Sequence, residues 1–271
     1  MYELLWNRNK IKFQSNLNQA HVGFLPGSGS TNGQLLAQEI LTDAKEEGQA
    51  LILRALDGSK AFDCVSNTIN HVKTFKHGIN DNHMLMIQEQ YRNQSKVIRW
   101  EGRDSSPITT QQGLSQGAHN SPPAYLIHNN SNLNALDNHS TGYHIGSIKL
   151  TNVTVADDEL LVSSSPNDAQ LQLHIIASEN SRDRAIVNCE KTEAMTVYLP
   201  KLELAYNNDT VPFGDTVKHL GLNLSASCIS AEAAISKSCK TIYALMGTGV
   251  HGTNGLNPIV SRKNWERFKI S

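Results

Sequence analysis

Nothing in this 271-residue chain is apolar for long enough to cross a bilayer as a helix, since no run of about 18 apolar residues occurs. The first residues, MYELLWNRNKIKF, lack the extended apolar core of a secretion signal. Cysteine is scarce: Cys64, Cys189, Cys228 and Cys239 are far apart and form no CxxC pair. They read as reduced, partly buried thiols of an intracellular protein that is not secreted, in nucleus or cytoplasm alike. The 11 histidines are scattered, which excludes a clustered Cys/His zinc site. A positive surplus is missing too, because 24 Lys and Arg face 25 Asp and Glu, for a formal charge of −1. Chains whose affinity rests on phosphate contacts usually carry a clear basic excess. Either such parts lie outside this chain, or it binds nucleic acid poorly. Gly23 and the Gly27-to-Gly33 stretch fit neither GxxxxGK[ST] nor GxGxxG, so a phosphate-cradling nucleotide loop is excluded.

What is present is an ordinary globular composition, 39% hydrophobic and 18% charged, with enough chain for one large domain or a domain and an appendage. Leu35 to Glu47 predicts a helix, with apolar Leu36, Ile40 and Ala44, polar residues before it and Gly48 after it. Ala50 to Asp57 is a short apolar run suited to a buried strand that ends on a carboxylate. Ala61 to Phe75 and Met84 to Tyr91 read as helices. Lys96 to Gly102 and Ser106 to Gly113 read as strands. A helix is expected from Ala124 to Leu136, with Pro122 and Pro123 in its first turn. IGSIKL is a strand candidate, and NVTVADDELLVSS predicts a hairpin with acidic residues at its tip. Asp168 to Glu179 suits a helix, Thr192 to Leu199 a strand, Thr216 to Leu224 another strand, and Ala231 to Met246 a helix stopped by Gly247. The mixed order predicts an α+β fold on a largely antiparallel sheet backed by helices.

Asp57, at a strand end, and the adjacent pair Asp157-Asp158, at a hairpin tip, are the candidates for chemistry. Adjacent carboxylates repel, and a divalent cation relieves that repulsion. Two metal ions roughly 3.5–4 Å apart on such carboxylates can activate a hydroxyl and stabilise a leaving oxygen in phosphoryl transfer. Magnesium suits oxygen ligands with positions left for phosphates. An Asp-Asp pair alone is commonly a solvated turn, so its company decides.

Five ordered blocks supply that company and resemble the reverse-transcriptase family, specifically the domain of non-LTR, LINE-type retrotransposons. They are QAHVGFLPGSGSTNGQLLAQEI, LDGSKAFDCV, QQGLSQGAHNSPP, VADDELL and NCEKTEAM. KHLGLNLSAS resembles the segment joining palm to thumb, and YALMGTGVHGTNGLNP resembles a region downstream of it. The resemblance implies a polymerase palm at 49–226, a partial fingers segment at 1–48 and the start of a truncated thumb or connection at 227–271. It implies RNA-directed DNA synthesis from an RNA template and a DNA primer with dNTPs, without a membrane. Asp57, Asp157 and Asp158 would hold two Mg2+ ions, with Mn2+ as the alternative. Phe62 would pack under the sugar and exclude a 2′-hydroxyl. Gln116 and Gly117 would meet the incoming nucleotide or template, and Lys191 the departing pyrophosphate. As plain structure, the same residues are a core aromatic, a turn and a solvated lysine.

Departures from the family accompany these matches. Gly58 follows Asp57 where rigidity is expected, Leu25 and Ser115 stand where arginine is frequent, and Val155 where an aromatic is frequent. Basic contacts are thus eroded while the acidic residues persist. That pattern fits a partly degenerate copy, and leaves a catalytically inactive remnant that at most binds nucleic acid or a partner as the second reading. A generic metal-dependent phosphoryl transferase is a third.

Overall fold

A computed structural model describes residues 2–226, apart from 26, 80, 93, 111 and 140. The chain divides into Met1–Ser227 and Cys228–Ser271, and all described residues belong to the first unit. The expected helix Ala231–Met246, together with Cys228, Cys239 and the downstream segment, lies outside the described residues.

Six helices are present among the described residues: α1 Tyr2–Ser15, α2 Ser30–Glu46, α3 Asn67–Lys76, α4 Asp81–Tyr91, α5 Ser121–Asp137 and α6 Pro166–Asp183. The central sheet consists of β1 Leu51–Asp57, β8 Asn152–Val155, β9 Asp158–Ser163 and β10 Glu193–Val197, in the order β10-β1-β9-β8. Every pairing in it is antiparallel, as the α+β reading required. Smaller two-stranded ladders flank it. They are β2 Ser95–Lys96 with β5 Ile108–Thr109, β3 Arg99–Trp100 with β4 Arg103–Asp104, and β6 Tyr143–Ile145 with β7 Ile148–Leu150. Two more are β11 Ala205–Tyr206 with β12 Asp209–Thr210, and β13 Thr216–His219 with β14 Leu222–Ser225.

Period two along β1 distributes its side chains between two cores. Leu51 and Leu53 join Val153, Leu160, Val162, Met195 and residues of α2, β13 and β14 on one face. Ile52 and Leu56 join Leu161, Ala194, Leu136 and residues of α6 on the other. A third cluster gathers Phe13, Ile87, Tyr91 and Leu126 from the helices and Ile79 from the segment between α3 and α4.

Arg54 lies on the helix side of the sheet and is fully buried. Its guanidinium donates to Ala169 O at 2.7 Å, Ser163 Oγ at 3.0 Å and Gln172 Oε1 at 2.6 Å. Burial holds its pKa down at about 9, with Asp168 opposing.

Four local expectations are corrected. The helix expected from Ala61 starts only at Asn67, where the Ser66 side chain accepts from Ile69 N–H, and residues 59–64 are turns with Lys60 at φ 50°. The strand expected over Lys96–Gly102 folds back on itself, because Glu101 and Gly102 both take positive φ. IGSIKL and Thr216–Leu224 are likewise hairpins, bent at Gly146 and at Leu220-Gly221, all three with positive φ. Helix α1 forms without a sequence signal, since MYELLWNRNKIKF shows no helical apolar period.

Two tests follow from these buried polar groups. Arg54→Ala strands Gln172 Oε1 and Ser163 Oγ, and is expected to cost about 3–5 kcal/mol in urea unfolding. His219 is 3% exposed, and burial lowers its pKa from 6.5 to about 4. Folding therefore favours the neutral ring, and the stability tied to it is present above pH 6.5 and lost as pH falls toward 4. His219→Gln should flatten the decline in stability between about pH 7 and 5 by about 2 kcal/mol, measured as the change in unfolding free energy.

Candidate active site

Strand β1 ends on Asp57 because its apolar run needs two buried faces, whereas the chain turns away at Gly58-Ser59-Lys60. In the ladder Asp57 stands directly opposite Asp158, the first residue of β9. Directly opposed residues of an antiparallel pair carry their side chains on one face. Asp157 precedes it at the hairpin tip, since Val155 pairs with Asp158 and leaves Ala156 and Asp157 as the loop. Two-residue hairpin loops call for positive φ, and Ala156 meets that demand at φ 57°. For an alanine this costs about 1–2 kcal/mol.

The three carboxylates share one field. The Asp158 pKa is raised by burial first, then by the charges of Asp157 and Asp57, while Lys218 opposes the rise. Among the described residues, no lysine or arginine forms an ion pair with any of the three. Nor do any three or more His, Cys, Asp or Glu among them gather into a ready-made metal cage. The donor set has the chemistry of a divalent-cation site, but its side chains are neighbours across a strand pair and not a closed shell.

Both halves of this edge are braced by backbone. The Asn188 N–H donates to Asp57 O at 2.8 Å, and the Ser59 N–H to Ile186 O at 2.8 Å. These bonds clamp the chain on either side of Gly58. A Cβ at Gly58 would meet Ala61 Cβ at 3.6 Å, an ordinary contact, so the fold has room for a side chain there. The hairpin is held from its other side by residues 20–23. The Val22 N–H donates to Thr154 O at 2.9 Å, and the Thr154 N–H to Ala20 O at 3.2 Å. Gly23 follows immediately. A Cβ on it would lie 2.9 Å from Val155 Cγ1 and 3.3 Å from Ala156 N, so only glycine lets this segment lie against the loop that carries Asp157.

The other sequence candidates fall into two places. Phe62, Gln116 and Gly117 line one open cleft of about 600 Å³ with Phe24, His119 and Ser121. Hydrogen bonds from Leu114 N–H to Phe62 O and from Gly113 N–H to Val65 O, both 2.8 Å, tie the two loops together. Phe62 stacks on Tyr125 of α5, ring centroids 4.5 Å apart and planes 16° from parallel. Burial and the nearby charge of Asp157 push the Tyr125 phenol well above its ordinary range, so the stacked pair links the cleft to the acidic edge. Lys191 stands apart from that cleft, exposed at the end of a short 3-10 helix, Cys189–Lys191. That helix is capped by Asn188, the residue bonded to Asp57 O, which puts Lys191 one turn from the Asp57 backbone.

Sequence reasoning missed Phe24, His119, Tyr125 and Glu159. Only Glu159 carried a usable signal: alternation along β9 sends it to the face opposite Asp158. It is buried there, and burial raises its carboxyl to about 7.

Residues 7–224 match the family model described as reverse transcriptase (RNA-dependent DNA polymerase). Among solved structures, an apo telomerase from Candida tropicalis truncated from its C-terminal domain superposes with a TM-score of 0.60 at 13% identity. That match covers 83% of this chain and 44% of the other. Apo telomerase from the same organism gives 0.57 at 12% identity, over 83% and 40%. Its complex with the TWJ fragment of telomeric RNA gives 0.57 at 12% identity, over 82% and 36%. The chain therefore spans less than half the length of these structures, and at such identity the likeness concerns the fold. A comparison with curated proteins finds no match.

Gly23→Ala tests the brace. The added methyl must displace Val155 or the loop backbone, and a destabilisation of about 1–3 kcal/mol is expected in urea unfolding. Gly117→Ala adds a methyl into open space. Only the strain of its positive φ of 83° opposes the change, so it is the milder of the two, with an expected cost of about 1 kcal/mol.

Proposed function

The chain belongs to the reverse transcriptase (RNA-dependent DNA polymerase) family, and on that premise we propose that it is the palm of an RNA-directed DNA polymerase of the non-LTR retroelement kind. In this reading 49–226 is the palm, 1–48 a partial fingers segment, and 227–271 the start of a thumb or connection. Its partners are an RNA template, a DNA primer and dNTPs. Among the described residues no helix is long and apolar enough to cross a membrane.

The observation that carries the proposal is the pairing of Asp57 with Asp158 at the sheet end where Asp157 caps the hairpin. Carboxylates with no ion-pair partner among the described residues, where burial and then the charges of Asp157 and Asp57 raise the Asp158 pKa, fit Mg2+, with Asp57, Asp157 and Asp158 as the groups that would hold two ions, or Mn2+ in their place. When bound, such ions supply Lewis-acid stabilisation of the attacking and leaving oxygens. The reaction joins a primer 3′-hydroxyl oxygen to the α-phosphorus of a dNTP and releases pyrophosphate. The protein's own groups position it. Phe62, held by its stack on Tyr125, would lie under the sugar and leave no room for a 2′-hydroxyl. Gln116 would meet the nucleotide or template from the same cleft, and Gly117, with open space around it, lets a strand approach the backbone. Lys191 would offer a positive charge to the leaving pyrophosphate.

The formal charge of −1, with Leu25 and Ser115 in place of arginine, favours a second reading, a remnant that binds nucleic acid without synthesis. Primer extension separates the two. With Mg2+, an RNA template, a primer and dNTPs, the purified chain should extend the primer slowly. Asp157→Asn should lower that rate by at least about 100-fold, because a lost Lewis-acid contact is worth several kcal/mol. Extension that survives Asp157→Asn would sink the assignment of the acidic edge. No Mg2+-dependent extension at all would decide for the remnant.

A further inference from the structure

The backbone at Phe24 is the least expected feature of the open cleft. Its φ is 57°, a left-handed value that a bulky side chain rarely adopts and that costs free energy. Most other non-glycine residues with positive φ have a local reason for it. Glu101, Ala156, Asn207 and Leu220 stand in two-residue hairpin loops, and Arg184 caps α6. Phe24 stands in no hairpin loop and caps no helix. Burial does not account for it either, because Phe24 is 53% exposed.

The chain on either side of Phe24 is held firmly. Val22 packs against the core shared by α2 and the sheet, and Leu25 against the core of the helices. Val22 N–H donates to Thr154 O at 2.9 Å, Ser28 Oγ donates to Val22 O at 2.7 Å, and Ser28 N–H donates to Leu25 O at 3.1 Å. Gly23 lies directly against Val155 and Ala156. These anchors keep an exposed, strained aromatic in one place. Strain that persists because its surroundings over-determine it is the pattern found at ligand clamps.

We propose that Phe24 is a stacking platform for a nucleobase, an inference that rests on the polymerase reading of this cleft and adds a residue to it. Phe24 lines the cleft of about 600 Å³ together with Phe62, Gln116, Gly117 and His119. These groups match the two parts of a base. Its π-face stacks on an aromatic ring whatever the sequence. Its edge carries hydrogen-bond donors and acceptors, and the exposed Gln116 amide has both. A Cβ at Gly117 would meet nothing within 4 Å, so the backbone there leaves space for such a plane. The base of a free dNTP and an unpaired base of a strand share this chemistry.

The test reads binding and not synthesis. In MgCl2 and without a primer, the whole chain is titrated into a fluorescein-labelled single-stranded RNA of about 12 nucleotides, followed by anisotropy, and into mant-dATP, followed by fluorescence. Phe24→Ala should weaken at least one of these by about 5- to 150-fold, and Phe24→Trp should retain wild-type affinity. Loss confined to the RNA assigns the base to a strand, loss confined to mant-dATP assigns it to the incoming nucleotide, and loss of both supports a platform used by each. Phe24→Gly should bind as weakly as Phe24→Ala yet melt about 2–4 °C above it, because glycine takes positive φ freely. Unchanged binding of both probes in Phe24→Ala overturns the platform, as does a wild-type chain that binds neither. Equal weakening by Phe24→Trp, or Phe24→Gly melting no higher than Phe24→Ala, overturns it too. If Phe24→Ala does not fold, Phe24→Leu takes its place in the titrations, since it keeps apolar bulk and lacks the π-face. Primer extension by a chain whose binding ignores Phe24 removes the platform and leaves the polymerase reading. Phe24-dependent binding by a chain that extends no primer does the reverse.

Discussion

Repulsion among like charges at one end of an antiparallel ladder is the constraint around which this molecule is organised. Register places Asp57 opposite Asp158, and chain connectivity puts Asp157 next to it. Such a cluster is unfavourable in the absence of a cation, so the surrounding structure must hold it in place by other means. It does so with backbone. Residues 186–188 bond to the end of β1, and residues 20–22 bond to β8. Hydrogen bonds between main-chain groups add no side-chain charge to the edge, which leaves its field available to a ligand.

The opposite face of the same sheet handles buried charge differently. Arg54 is fully buried and distributes its protons among a carbonyl, a hydroxyl and an amide oxygen. Lys73 bonds Asp183 and two neutral oxygens. Lys73 is thereby satisfied, whereas Arg54 keeps its buried Nε without a hydrogen-bond partner. Glu159 Oε1 also lacks a partner on this face, and Glu159 adjoins the acidic edge by sequence. A strand that places Asp158 toward solvent must place its successor toward the helices, so the two acidic side chains lie in separate electrostatic environments one residue apart.

Much of this fold was legible in the sequence, for physical reasons that differ by element. The β1 run and the β8–β9 hairpin were visible because buried strands demand short apolar runs and a two-residue loop demands an abrupt polar break. Helix α5 was visible through Pro122 and Pro123 at its start. The misread strands have one cause: a run read as a single strand contained a residue able to take positive φ. Gly146, Leu220-Gly221 and Glu101-Gly102 each turn such a run into a hairpin. Of the candidate site, the acidic residues and Phe62, Gln116 and Gly117 were singled out from motif order. Tyr125 and His119 were not, because an aromatic or histidine near a helix start carries no period that distinguishes a site wall from a core.

Val155 shows why a departure from a family pattern has to be weighed against its neighbours. The methyls of Val155 fit between two glycines. A Cβ at Gly23 would meet Val155 Cγ1 at 2.9 Å, and one at Gly33 would meet Val155 Cγ2 at 3.1 Å. The small residue at 155 and the bare backbones at 23 and 33 are therefore one packing unit. Enlarging any of the three moves the loop that carries Asp157, since close-packed interiors transmit such changes and do not absorb them. The acidic edge thus takes its support from packing and backbone bonds, and no lysine or arginine among the described residues forms an ion pair with it.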